Sequence, residues 1–176
     1  MSAQTLYSFS TPRAVAGGLA DTNVYVISSR VNESATGTVK PGFGVVRGTS
    51  AGKQAKLPVA ESTAAQFEGV VQNGMTTQYD LDGAMRIARG DTLACLTMGH
   101  IWVVVPEDAN IAYGDPVYLI TSGTDAGKFT NSKSVTETAL TFVLINGKFI
   151  GTSDTQSTIA PVAILSHDAA ADVSST

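Results

Sequence analysis

The chain has 176 residues, 43% of them hydrophobic and only 15% charged, with 11 basic and 15 acidic side chains and a formal net charge of -4. That length suits one well-packed domain, and a charged share this low leaves Ser, Thr, Asn, Gln and Gly to build the exposed faces. An acidic balance without clustered Lys and Arg excludes nucleic acid as a partner, and a single cysteine, Cys95, excludes an intrachain disulfide or a cysteine-rich metal site.

At the start, residues 1–13 set Leu6, Tyr7 and Phe9 among Ser, Thr and Gln ahead of Pro12, the pattern of an extended arm. The first thirty residues lack a basic start followed by an apolar core, so no signal peptide is expected. Nor is a membrane partner: the longest strongly apolar run, Ile101–Val105, falls far short of the roughly 20 residues a bilayer requires.

Residues 14–166 read as a single β domain. Helical periodicity is nearly absent, while short β-branched and aromatic runs recur between Gly, Asp, Asn and Pro. In chain order the predicted strands are Val24–Ser28, Phe43–Arg47, Gln54–Pro58, Phe67–Gln72, Ala84–Ala88, Thr92–Thr97, His100–Val105, Pro116–Ile120, Lys128–Thr130, Leu140–Ile145, Lys148–Gly151 and Ala160–Leu165. One short helix is expected at Glu61–Gln66, with Ser62 as its cap. Turn chemistry falls at Gly90-Asp91, Met98-Gly99, Gly114-Asp115 and Asn146-Gly147. The last pair tolerates positive φ and predicts a tight hairpin from Phe142–Ile145 to Lys148–Ile150. Residues 167–176 form a small polar tail, expected to be flexible. The fold class that follows is all-β: an antiparallel β-sandwich or jelly-roll-like barrel with an extended N-terminal arm and at most one short helix. Closure suits so many short strands, because open edges invite pairing with other chains.

Motifs that carry chemistry fail on spacing. Gly48-Thr49-Ser50-Ala51-Gly52-Lys53 and Gly123-Thr124-Asp125-Ala126-Gly127-Lys128 each have three residues between the glycines where a phosphate loop has four, and neither is followed by Ser or Thr. Both read as hairpin loops. Gly42-Phe43-Gly44 lacks the third glycine of a dinucleotide site, where Arg47 stands, and leads into a strand. Ser166-His167-Asp168 has the residue types of a hydrolase triad, but adjacent side chains diverge and cannot form the relay. Asp80, Asp82 and Gly83 start like a calcium loop without the later ligands. Glu107 and Asp108, after Pro106, read as an exposed loop rather than an acid–base pair. His100 and His167 are the only histidines. Cys95 reads as a small buried hydrophobe, and Trp102 as a core or interface anchor. We therefore expect no catalytic, cofactor-binding or metal residues, no cofactor and no enzyme.

Several segments together resemble the structural cement, or head decoration, proteins of tailed phages. They are Ala16-Gly17-Gly18-Leu19-Ala20-Asp21, Val39-Lys40-Pro41-Gly42-Phe43-Gly44-Val45-Val46, Phe67-Glu68-Gly69-Val70-Val71 and the block from Gly90-Asp91 to Val105. Tyr113-Gly114-Asp115-Pro116-Val117-Tyr118, Gly127-Lys128-Phe129-Thr130, Gly147-Lys148-Phe149-Ile150 and Ala160-Pro161-Val162-Ala163 complete the pattern. The resemblance implies a β-sandwich or jelly-roll-like domain that assembles as a dimer or trimer. It also implies a place on the outer capsid surface, bridging major capsid protein subunits, after synthesis in the bacterial host cytoplasm. Leu6, Tyr7, Phe9 and Pro12 are then the candidate capsid contacts, by groove packing or strand addition, and Trp102 the interface candidate. The alternative is a β-sandwich carbohydrate-binding or adhesion module of a virion, for which 7% aromatics and one Trp are a thin stacking platform. A small β-barrel enzyme would need an acid–base pair that the sequence does not offer.

Overall fold

The computed structural model describes residues 14–74, 78–79, 85–132, 142–153 and 158–166. β-Branched and aromatic runs extend because their stiff side chains pack on a pleated surface, and every predicted run coincides with all or part of a strand. The strands are β1 (Val26–Asn32), β2 (Gly44–Arg47), β3 (Gln54–Lys56), β4 (Phe67–Val71), β5 (Gln78–Tyr79), β6 (Met85–Arg86), β7 (Thr92–Val104), β8 (Pro116–Ile120), β9 (Phe129–Thr130), β10 (Phe142–Phe149) and β11 (Ile159–Ile164).

Nine strands run in the order β1-β3-β2-β4-β7-β11-β10-β8-β9, and β1 also pairs back onto β7. The first five therefore close into a barrel, and the rest continue from β7 as a second sheet. β5 and β6 pair antiparallel as a separate two-stranded sheet. The β1–β3 pair is parallel, a departure from the antiparallel expectation.

β7 is the spine of the molecule. Its first half pairs with β1, from Val31↔Thr92 to Val26↔Met98, and with β4 at Val71↔Cys95 and Val70↔Leu96. Its second half pairs with β11, from Ile164↔Gly99 to Ile159↔Val104. Met98-Gly99 is thus not a turn, and the two strands expected on either side are one. Gly99 sits at φ +128°, and a Cβ there would lie 2.7 Å from Cβ of Tyr25. A glycine lets the strand bend from one sheet into the other without reversing.

The predicted Asn146-Gly147 hairpin is likewise overturned, since β10 runs straight through it. Ile145 pairs with Val117 but Lys148 with Pro116, so the two residues bulge out of the β8 ladder. Beyond the bulge Gly147, Lys148 and Phe149 pair with β11, and a Cβ on Gly147 would collide with the carbonyl oxygen of Ala163. Close backbone approach, not chain reversal, is what requires glycine here.

The expected helix contracts to a 3-10 turn, Ala64–Gln66. Ser62 does not cap it; its hydroxyl accepts the Val59 N–H at 2.9 Å, while the Gln66 side chain accepts the Thr63 N–H at 3.2 Å.

Two cores follow from this topology. Val39, Val45, Ala55, Val71, Ile87, Leu93 and Cys95 form one buried cluster; because β2, β3, β4 and β7 all contribute, it lies inside the barrel. On the opposite faces of β2, β4 and β7, Val46, Phe67, Val70 and Leu96 meet Ile101, Val103, Leu119, Phe129, Ile145, Phe149 and Val162 of the second sheet. β4 is consequently buried at all five positions. Phe67 and Phe129 join the layers edge to face, centroids 6.5 Å apart at 88°, a contact worth about 0.5–1.5 kcal/mol beyond its area.

Candidate functional site

Among the described residues, several of the types that could do chemistry are held by other partners or buried. His100 meets Asp21, Nδ1 to Oδ2 at 2.5 Å, and this hydrogen bond, helped by the Asn23 N–H, holds the Asp21 carboxyl below its ordinary value. The Cys95 thiol is inside the barrel, where burial pushes its pKa up to about 12. Neither glycine loop forms a phosphate cradle. In the first, the Glu33 carboxylate accepts the Thr49 N–H at 2.6 Å and the Thr49 hydroxyl at 2.5 Å, placing an anion against the loop. In the second, Lys128 pairs with Asp125 at 2.6 Å. Glu107 and Asp108 are exposed on a turn closed from Ala109 N–H to the Pro106 carbonyl.

Among the described residues no group of three His, Cys, Asp or Glu side chains could hold a metal ion. His167 and Asp168, and the turn at Asp80, Asp82 and Gly83, lie outside the described residues. A crevice lined by Val71, Gln72, Ile87, Thr92 and Leu93 holds about 20 Å³, room for a water rather than a metabolite.

What remains is surface, and two regions of it are distinctive. The first is where the N-terminal segment enters. Gly17 donates its N–H to the Trp102 carbonyl at 2.7 Å and accepts the Asn73 N–H at 2.8 Å, while Trp102 N–H returns to Gly18 and Ala20 N–H to His100. The segment is stitched along the second half of β7 and closes the gap left where β4 departs. Leu6, Tyr7, Phe9 and Pro12 precede it and lie outside the described residues. Trp102 itself is half-buried. The alternation of β7 sends Ile101 and Val103 into the core between the layers, and leaves Trp102 on the opposite face across from Pro161.

The second region is the lip of β1. Val24, Tyr25 and Val26 are exposed in succession, at 74%, 47% and 44%, with Val31 further along. The sequence predicts a strand over Val24–Ser28, and nothing in period-2 alternation distinguishes this run from a buried one.

A polar group at one end of the barrel was also not legible. Glu68 is buried, yet its carboxylate pairs with Arg30 at 2.8 Å and Arg47 at 3.6 Å. The signal was an acidic residue inside an otherwise apolar run, Phe67-Glu68-Gly69-Val70-Val71, which demands a cation from elsewhere in the fold.

Comparison with known proteins gives these surfaces a context. A family model described as structural cement protein (E217 gp24/Pam3 gp6) matches residues 3–165. No curated protein matches the sequence. Among solved structures, a chain from the capsid of Myoviridae Phage XM1 shares the fold with TM-score 0.69 and 19% identity, over 94% of this chain and 98% of that one.

Proposed function

The chain belongs to the structural cement proteins of phages, and from that premise we propose that it binds the outside of the mature head, bridges major capsid protein subunits and stabilises the shell. A structural, capsid-associated role in the virion goes with the family. The observation that carries the finer reading is the extent of the match, residues 3–165, which takes in both the arm and the whole two-layered block.

The physics is linkage. A protein that binds the assembled shell and not its dissociated or unexpanded form lowers the free energy of the bound state, by about 2.7 kcal/mol per site at a free concentration one hundred times Kd. Copies on a symmetric lattice, themselves joined as dimers or trimers, act together, so modest individual contacts suffice. Leu6, Tyr7, Phe9 and Pro12 are the proposed capsid contact; Trp102 is the proposed interface anchor, beside the residues 17–20 that bond to β7.

The test is to strip or omit the protein from purified heads and add it back. Added protein should raise the temperature at which heads release DNA, and electron microscopy should find it as protrusions outside the shell. Heads indifferent to its addition, or density confined to the interior, would overturn the reading.

A further inference from the structure

We propose that the outward edge of β1 is the face through which two copies of this chain join, strand to strand and antiparallel, about a two-fold axis. This rests on the homo-oligomer proposed above and assigns the residues that make it.

The edge is open. Asn32 donates its N–H to Asp91, on the β7 side, and Val31 donates its N–H to Lys53, on the β3 side, each at 2.8 Å. Alternation along a strand then turns the N–H and C=O groups of Ile27 and Ser29 away from β7. Ile27 and Ser29 pair with Leu96 and Ala94 of β7 on one side, and β3 reaches the other side only at Val31 and Asn32, so no described strand takes up the outward N–H and C=O groups of Ile27 or Ser29. Among the described residues the Ser29 carbonyl accepts the neighbouring Arg30 guanidinium, at 3.0 Å.

The edge is also unprotected. Soluble proteins blunt a free edge with Lys, Pro, a charge or a bulge; Val26-Ile27-Ser28-Ser29-Arg30-Val31 carries no Lys or Pro, and the register shift between Val26 and Ile27 puts its extra residue, Thr97, on β7 rather than on this edge. Its one charge, Arg30, would oppose pairing as an inward charge, but Glu68 already neutralises it at 2.8 Å. Asp21, just upstream, is held by His100. Beside the open groups stands the exposed apolar lip of Val24, Tyr25 and Val26.

These features commit the occupant. An antiparallel pair of identical edges is self-complementary about a two-fold: with the axis at Ile27, each Ile27 faces its own copy and each Tyr25 faces Ser29 of the second copy. Every outward position is uncharged, so no like charges meet across the axis. Val24, Tyr25 and Val26 of each copy then lie across from Arg30, Ser29 and Ser28 of the other, which cover the apolar lip.

Sedimentation velocity on the full chain, over a range of concentrations, tests this with two variants. Val24→Lys puts a charge on the lip at a position that touches no core, and Ser29→Pro removes an outward N–H that no described strand uses. The wild type should sediment at twice the chain mass and both variants at the single-chain mass, with circular dichroism unchanged. If Ser29→Pro unfolds, Val24→Lys decides. Variants that remain dimeric overturn the edge assignment while leaving the homo-oligomer intact; a wild type that stays a single chain at every concentration overturns both. Variants that stay dimeric but lose binding to heads would hand the edge to a strand of the shell, which also overturns the proposal.

Discussion

Asp91 and Asp115 close the same turn in the two layers of the molecule. Each Oδ2 accepts the N–H of an alanine three residues earlier, Ala88 at 2.7 Å and Ala112 at 2.9 Å. Each aspartate N–H returns to that alanine's carbonyl, at 3.2 and 3.3 Å, and the glycine between sits at φ +91° in both. The recipients match too: Gly90 donates to Asn32 as Gly114 does to Phe149, and Asn32 and Phe149 donate back to Asp91 and Asp115. One Ala-X-Gly-Asp turn therefore launches β7 in the barrel and β8 in the second sheet.

A Cβ on either glycine would meet nothing within 4 Å, so substitution is penalised by backbone conformation alone. Gly90→Ala and Gly114→Ala should each cost about 1–2 kcal/mol, and by similar amounts, since the geometry is shared. Asn, which tolerates positive φ, should recover part of that loss. Urea unfolding of the four variants measures it; a cost at one turn and none at the other would show that the two are not equivalent.

Much of this fold is legible in the sequence, and the failures have one cause. β8 matches its predicted span residue for residue because a Gly-Asp turn fixes its start. The same logic makes turns of Gly99 and Gly147, yet both lie inside strands. A glycine signals that the backbone needs freedom, and that freedom serves chain reversal, a bend between sheets or a close approach equally well. Nothing local separates the three. Glu68 and Arg30 stand 38 residues apart, so their pairing emerges only when β1 and β4 are placed in one barrel. The β1 lip was invisible for the converse reason: exposure is a property of what the fold leaves uncovered.

Acid sensitivity should follow from three carboxylates. Asp21, Glu33 and Asp115 are each held below their ordinary values of 3.8, 4.5 and 3.8, by hydrogen bonds chiefly from His100, Thr49 and Ala112 respectively. Between the lowered and the ordinary value, the unfolded chain binds more protons than the folded one, so stability rises with pH there. Their contribution is fully present above about pH 5 and lost as pH falls through the lowered values. Thermal melts should decline below pH 4.5 and less steeply in Asp115→Asn, whose side-chain oxygen still accepts the Ala112 N–H. A melting temperature independent of pH in that range would contradict the assignment.

Glu68→Gln should be among the more damaging polar substitutions. Removing one partner of a buried ion pair costs about 3–5 kcal/mol, but the Arg30 and Arg47 side chains are 19% and 49% exposed and can turn toward water. A loss of about 1–3 kcal/mol is therefore expected. In a double-mutant cycle with Arg30→Met, the arginine substitution should cost less when Glu68→Gln is already present than it does in the wild type. Additive losses would mean the 2.8 Å contact contributes nothing specific.

Cys95 should report barrel opening. With its pKa near 12, about one thiol in ten thousand is ionised at pH 8, and only the thiolate alkylates readily. Iodoacetamide should leave the folded protein unmodified over hours and label it within minutes in denaturant. Rapid labelling under native conditions would place the thiol outside the barrel.

Truncation tests whether residues 1–10 act apart from the fold. Deleting residues 1–10 removes Leu6, Tyr7 and Phe9 while leaving every described contact in place, so the melting temperature should hold and binding to heads should be lost. Deleting residues 1–18 also removes the bonds Gly17 makes to Trp102 and Asn73 and the one Trp102 makes to Gly18. Each such bond is worth about 0.5–1.5 kcal/mol net, and the groups orphaned along β7 add their own desolvation cost. The longer deletion should therefore lower stability by roughly 3 kcal/mol or more, seen as a shifted urea midpoint. Two outcomes discriminate: a shorter deletion that already unfolds the protein would extend the domain into the arm, and one that folds and still binds heads would take the capsid contact away from it.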